Sequence, residues 1–352
     1  MKKLLLLAAS VALFAACSEK EQLTQTREIP IDFTRSYVEN TTKAIHTGLY
    51  TTTTFEAAGN TMGVFGWKVK NTTATSIFNN QEVEYGNANL AANDWAYTPK
   101  KYWDYDADHY AFFAYAPHST DFPNGGTVAM STAANGNSFS ISNFTQADVV
   151  ANQIDLMVDL TTQITNTTNK ASTKSDVGFT FSHILSQVNF KMGVSASLKA
   201  DKNDNPVTVQ SISLNGVKIK GSYSYSSAWA WSGQATPTTF NATQTSNVVF
   251  AEDHLTATAE DVPGLVKMLL IPGSVSGYTV TINYTIGKTD PESFTRTINL
   301  TDFKNSSDQN LSAWAIGNNY TYILTIGPEP IEFDMTTIED WNPGGTYEYT
   351  IE

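Results

Sequence analysis

The densest run of ligand-type residues is Asp104-Tyr105-Asp106-Ala107-Asp108, whose carboxylates alternate as they do at the opening of a calcium-binding loop. An EF-hand loop needs Gly at its sixth position and a bidentate Glu at its twelfth, and this chain has His109 and Tyr115 there. The run therefore reads as a solvated turn rather than a metal site. The five histidines, His46, His109, His118, His183 and His254, show no helical HExxH spacing. His183 stands in an apolar stretch with no nucleophile near it in sequence, which suits a hydrogen-bonded core or domain-interface histidine rather than a catalyst. Trp229 and Trp231 follow Tyr223 and Tyr225, and in an extended strand both tryptophans share a face. Such a row can stack on sugar rings; a core face of a sandwich is the favoured reading, because strands bury aromatic pairs. No catalytic residue, metal or cofactor is assigned.

The cysteine count closes further options. Cys17 is the single cysteine, so neither a disulfide framework nor a cysteine-based zinc site can form within one chain. Lys2 and Lys3 precede an apolar run from Leu4 to Ala16, broken only by Ser10 and closed by small residues. That run is too short to span a bilayer, which takes about 20 apolar residues. Residues 1–16 are therefore expected to be a cleaved signal peptide. The stretch Leu13-Phe14-Ala15-Ala16-Cys17 resembles a bacterial lipoprotein box, which implies a lipid on Cys17 as the mature amino terminus.

Charge argues against nucleic acid. Among 352 residues, 34 acids outnumber 21 bases, and phosphate binding needs clustered Lys and Arg. The same balance disfavours adsorption on an anionic membrane, so attachment has to be apolar or covalent. Charged residues make up only 16% of the chain and aromatics 12%, enough apolar surface for a packed core. The length suits two domains better than one.

These residues have to be held by strands. Past a polar leader the sequence becomes short alternating segments punctuated by Gly, Asn, Pro and Thr. Tyr278, Val280, Ile282, Tyr284 and Ile286 share one strand face, and Thr279, Thr281, Asn283 and Thr285 the other. Tyr320, Tyr322, Leu324 and Ile326 repeat the pattern, as do Ile331, Phe333 and Met335. Asn215-Gly216 predicts a tight hairpin turn, because both central positions of a type I′ turn need positive φ. The segment from Thr161 to Ser175 has Ile164 as its single large apolar residue and marks the expected domain boundary. Each half then carries several short strands with turns between them, the pattern of a β-sandwich. The expected division is a leader over 17–43, an N-terminal sandwich over 44–170 and a C-terminal sandwich over 171–352.

Several segments, in order, resemble the fimbrillin-like family of Bacteroidetes, the subunits of type V pili. Thr41-Thr42-Lys43-Ala44 resembles the family's processing region, with Lys43 where arginine is usual, and Met62-Gly63-Val64-Phe65-Gly66 its first core strand. Tyr102-Trp103 with Tyr110 to Pro117 is similar to its aromatic strand pair, and Phe181-Ser182-His183 followed by an apolar strand to its Phe-x-His signature. Leu269 to Pro272, Tyr320 to Ile326 and Trp341 complete the series. Ser18-Glu19-Lys20-Glu21 also resembles the surface-export tag of Bacteroidetes lipoproteins. The resemblance implies an all-β protein of two tandem, transthyretin-like β-sandwiches that serves as a structural or tip subunit of a pilus. It implies a lipid-anchored precursor at the outer membrane or cell surface, with other pilus subunits and a host or bacterial surface ligand as partners. A surface glycan-binding lipoprotein of a sugar-uptake system is the alternative.

Two sites of assembly follow from that resemblance. A trypsin-like protease is expected to remove the leader at Arg35 or Lys43. If Glu28 to Phe33 is an edge strand, with Ile29, Ile31 and Phe33 on one face, its excision leaves an apolar groove with unpaired backbone groups. The terminal residues Tyr347, Tyr349 and Ile351 alternate with Glu348, Thr350 and Glu352 after the flexible Gly344-Gly345, as a donor strand for that groove requires. The same residues could equally complete their own domain.

Overall fold

Alternating apolar and polar residues make strands that need neighbours on both edges, and the described residues supply them in three large sheets and one two-stranded sheet. The computed structural model describes residues 29–34, 37–38, 50–91, 94–133, 136–159, 163–165, 176–225, 228–244, 248–251, 256, 258–305, 308–327 and 342–348. Among the described residues, helix is confined to short turns such as Thr52–Phe55 and Ala196–Ala200. The protein is all-β.

The first sheet runs in the order Tyr37–Val38, Thr180–His183, Met157–Asp159, His109–Ala116, Thr61–Lys70, Thr73–Tyr85 and Trp95–Ala96, with Gln163–Thr165 also on His109–Ala116. Its two faces enter different cores. Met62, Val64 and Phe112 face one cluster with Phe78, Phe179 and Phe181. Phe65, Trp67, Phe113 and Tyr115 face another. Gly63 and Gly66 leave the space that neighbouring rings fill: a Cβ at Gly63 would meet the Tyr115 ring, and one at Gly66 would lie 2.8 Å from the Phe78 ring.

The second sheet centres on the parallel pair Ser186–Val194 and Asn318–Ile326, flanked by Met268–Leu270 and Glu260–Asp261 on one side and by Asn342–Glu348 and Lys304–Asn305 on the other. The third contains Glu292–Asn299, Thr279–Ile286, Val207–Tyr225, Gly136–Thr145 and Thr127–Ala133, with Trp229–Asn241 also on Val207–Tyr225. Val188, Phe190 and Met192 of the second sheet pack on Ile212, Leu214, Val280 and Ile282 of the third. The alternation from Tyr278 to Ile286 is observed as expected, with Tyr278, Val280, Ile282 and Tyr284 buried. Asn318–Ile326 is buried on both faces over most of its length, as a central parallel strand should be.

Two features differ from the sequence reading. Asn215-Gly216 is no hairpin turn but a bulge inside the continuous strand Val207–Tyr225, where the register with Trp229–Asn241 slips between Asn215 and Val217. Gly216 takes φ +79°, and a Cβ there would lie 2.9 Å from the Gly277 carbonyl. Positive φ serves a bulge as well as a turn. The second feature is the hairpin formed by Thr127–Ala133 and Gly136–Thr145, which precedes Thr161 in sequence yet pairs with Val207–Tyr225 beyond it. Its residues Phe139, Ile141 and Phe144 pack between Phe113 and Tyr115 of the first sheet and Tyr223 and Ile271. Strands from before and after Thr161–Ser175 thus share one sheet.

Candidate functional site

Among the described residues before Tyr50, Ile29–Thr34 is an extended segment with two fully enclosed side chains. Ile31 is 0% exposed and Phe33 1%. Side chains at alternate positions turn inward because the segment is extended, and hydrogen bonds on both sides hold it so. Ile31 donates its N–H to the Lys101 carbonyl at 2.8 Å, and Trp103 donates to the Ile29 carbonyl at 3.0 Å. Opposite, Thr34 donates to the Val177 carbonyl at 3.1 Å and Val177 donates to the Asp32 carbonyl at 2.8 Å. Tyr37–Val38 continues along the same neighbour, parallel to Thr180 and Phe181. Residues 29–34 are therefore an extended segment held by isolated bridges between Lys101–Trp103 and Val177.

The slot is lined by rings. Phe33 lies 5.4 Å from the Tyr97 centroid, 5.5 Å from Phe78, 5.8 Å from Phe179 and 6.4 Å from Phe112. Tyr97 donates its hydroxyl to the Ile31 carbonyl at 2.7 Å and accepts the Lys101 N–H at 3.1 Å. Burial, with a further contribution from the Asp32 charge, pushes the Tyr97 phenol up to about 12. At the mouth, Lys100 Nζ lies 2.6 Å from Asp32 Oδ1 and 4.9 Å from the Tyr97 ring centroid. Lys100 is held from below by an aromatic face.

Removing this strand has a large consequence. Ile31, Phe33 and Val38 are buried side chains, each worth about 1.5–3 kcal/mol, against a whole-domain stability of about 5–15 kcal/mol. Excision also strips partners from the Lys101 carbonyl, the Trp103 N–H and both backbone groups of Val177. A replacement strand is the direct physical remedy.

The other candidates fall as follows. Cys17, Arg35, Lys43, Tyr349 and Ile351 lie outside the described residues. Tyr347 lies in Asn342–Glu348, which pairs in parallel with Asn318–Tyr322, Tyr347 opposite Tyr322, and on its other edge with Lys304 and Asn305. This strand occupies the chain's own second sheet. Asp104 binds Lys68 at 2.7 Å, Asp106 lies 3.7 Å from Lys70 and Asp108 accepts the Asn71 N–H at 2.7 Å. The three carboxylates are turned to different partners, and the Lys68 hydrogen bond leads in holding Asp104 below the usual carboxylate range.

His183 is buried, its Nδ1 2.8 Å from Asp155 Oδ1, and the other Asp155 oxygen accepts the Tyr50 N–H at 2.9 Å. This core role fits the reading of His183; the Asp155 link to Tyr50 spans 105 residues and had no sequence signal. Trp231 donates its indole N–H to the Ile184 carbonyl at 2.7 Å, and Trp229 stacks on Tyr223 at 5.4 Å and on Tyr225 at 3.9 Å. The tryptophans are half-buried and spend much of their surface on neighbours. A groove of about 370 Å³ beside them is bordered by Asp159, Ser182, Tyr225 and Trp229.

Fold and site together define an all-β protein in which Tyr37–Val38 edges the first sheet and residues 29–34 lie buried beside it. The profile of the fimbrillin-like family matches residues 42–341, and the chain belongs to that family. It is 30% identical over 236 residues to Fimbrium subunit Fim1C of Phocaeicola vulgatus, an alignment covering 62% of this chain and 56% of the relative. The chain thus spans little more than half the length of that relative. A fimbrial protein from Bacteroides vulgatus, known from a crystal structure, shares the fold: 21% identity, a TM-score of 0.50, and coverage of 87% of this chain and 98% of that one.

Proposed function

We propose that this chain is a structural or tip subunit of a cell-surface pilus, assembled by strand exchange after its leader is cut away, and acting in adhesion. The observation that carries the reading is the burial of Ile29–Thr34 between Lys101–Trp103 and Val177, because excision there creates a groove that another strand can fill. In this reading Cys17 carries the lipid that holds the precursor at the outer membrane. The cut falls at Arg35 or Lys43. A cut after Arg35 keeps Tyr37–Val38 in the mature chain, whereas a cut after Lys43 releases it with the rest of the leader. The donor is the terminal segment with Tyr347, Tyr349 and Ile351, which has to leave its own sheet first. Two sandwiches divided near residue 170 remain the proposed domain plan, with the hairpin of 127–145 bridging them.

Limited digestion of the purified chain with a trypsin-like protease tests this directly. The expected product begins at Ser36 or Ala44 and forms filaments visible by electron microscopy, while undigested chain stays monomeric. Leader-free chain that remains monomeric at high concentration overturns strand exchange. The groove beside Tyr225 and Trp229 keeps a second reading, glycan binding, in view. Retention on a glycan array that is lost in Trp229→Ala supports it, and equal retention by that variant removes it.

A further inference from the structure

The groove between the first and third sheets has walls of opposite character. One wall belongs to the third sheet and carries Tyr225 and Trp229; the other belongs to the first sheet and carries Asp159, Thr180 and Ser182. Its volume of about 370 Å³ lies near the lower end of the range of small-ligand sites, about 300–1,000 Å³, which suits the end of a glycan rather than a long stretch of one. We infer that this groove takes an uncharged pyranose unit, its C–H face against the Tyr225–Trp229 wall and its hydroxyls towards Asp159, and that it rejects sugars bearing carboxylate or sulfate. The inference rests on the glycan-binding reading and adds to it the class of sugar and the residue that selects it.

Both walls are held in place before any ligand arrives. Trp229 stacks on Tyr225 at 3.9 Å and lies within 5° of parallel to Tyr223, and Trp231 packs on Tyr223 while its indole is tied to the Ile184 carbonyl. Tyr225 and Trp229 are nonetheless only half-buried, so ring surface is left to meet a sugar. The negative face of an aromatic ring attracts the polarised C–H bonds of a pyranose. Opposite, Asp159 is 4% exposed and accepts the Thr180 N–H at 2.6 Å, which aims the carboxylate. A carboxylate has about four lone-pair sites, more than the Thr180 bond uses, and hydroxyls that donate to it form charge-assisted bonds. The same negative charge repels an anionic sugar. None of the described residues bordering the groove is Lys or Arg, and His183, which also borders it, has its Nδ1 turned to Asp155 at 2.8 Å. The chain's 34 acids against 21 bases push anions away as well.

Binding of the full chain to an array that pairs neutral oligosaccharides with their carboxylated or sulfated counterparts tests the inference. Retention on neutral members should exceed that on their anionic partners by about tenfold or more. Equal or stronger retention on the anionic members overturns the sugar class and leaves glycan binding standing; retention on no member overturns glycan binding, and the inference with it. Asp159→Asn keeps the shape of the side chain and removes its charge, so it should weaken neutral binding by about tenfold and narrow the contrast to about threefold or less. An unchanged contrast in the folded variant overturns the selecting role of Asp159. A salt series on the wild-type chain gives the same reading without a substitution: the contrast should shrink by about threefold or more on going to about 1 M salt, where charges are screened beyond about 3 Å. A contrast that survives high salt means that shape excludes the anion, and overturns selection by charge. Tyr225→Ala should lose retention on every member, and full retention by that variant overturns the aromatic wall.

Discussion

The two cores of this protein are closed in opposite ways. The C-terminal core, from Val188 to Ile326, lies between two sheets, one of which includes the late strand Asn342–Glu348 beside Asn318–Ile326. The core around Phe33 is closed by a leader strand joined to the body through residues in which both expected protease sites stand. In the proposed reading one backbone cut frees the segment that covers Phe33's core, whereas no such cut is proposed within the strands around Val188 and Ile282. Covalent position, rather than packing quality, separates them, since the inward side chains of both are fully buried.

The largest effect that probes this difference is a core truncation in each region. Phe33→Ala is expected to cost about 3–5 kcal/mol in the leader-bearing chain, and Ile282→Ala about 2–5 kcal/mol, both by urea denaturation. After leader removal the contrast sharpens. Phe33→Ala then has no effect on the assembled filament, because the residue has left, while Ile282→Ala still destabilises it. Equal damage to processed filaments from both variants breaks the comparison and shows that the leader stays.

A smaller effect comes from Tyr97, the ring that touches leader and body together. Its phenol stands at about 12, raised by burial above the ordinary value near 10. A folded pKa above the unfolded one means that the contribution is fully present below about pH 10 and is lost as pH rises towards about 12, at most about 3 kcal/mol. Leader removal takes away both cover and the Asp32 charge, so the value should fall towards 10. Ultraviolet titration of chain with and without leader, each subtracted against Tyr97→Phe, measures the shift; an unchanged value means that the leader does not shield this ring.

The leader's part was partly legible in the sequence. Ile29, Ile31 and Phe33 alternate, and alternation is all that a strand needs to announce one buried face. The strand around Val280 and the tyrosine strand around Tyr322 were legible for the same reason. What the strands pair with was not. Lys100 and Asp32 stand 68 residues apart, and no local pattern links them. The hairpin of 127–145 reads as part of the first half of the chain, and the register with Lys220 to Tyr225 carries it across. Gly216 failed for a narrower reason: positive φ reports a backbone requirement, and whether a turn or a bulge meets it depends on the partner strand.

The smallest effect concerns Asp104, directly after Trp103, whose N–H holds the leader. Lys68 holds the Asp104 carboxyl below its usual range, so the contribution is present above the ordinary carboxylate pKa and is lost as pH falls through the lowered value. The side chains of Lys68 and Asp104 are 35% and 40% exposed, so solvent screens the pair and Asp104→Asn should cost less than about 1 kcal/mol, and less still in high salt. The Tyr110 hydroxyl accepts the Asp104 N–H at 2.5 Å and donates to the Asp104 carbonyl at 3.0 Å, so the backbone next to Trp103 is tied to Tyr110, while the carboxylate braces the far side of the turn by accepting the Asp106 N–H at 2.9 Å. Hydrogen exchange at the Trp103 amide should therefore be unchanged in Asp104→Asn and faster by an order of magnitude or more once the leader is gone. If Asp104→Asn alone exposes that amide, the carboxylate run, and not the inserted strand, sets the edge of the groove.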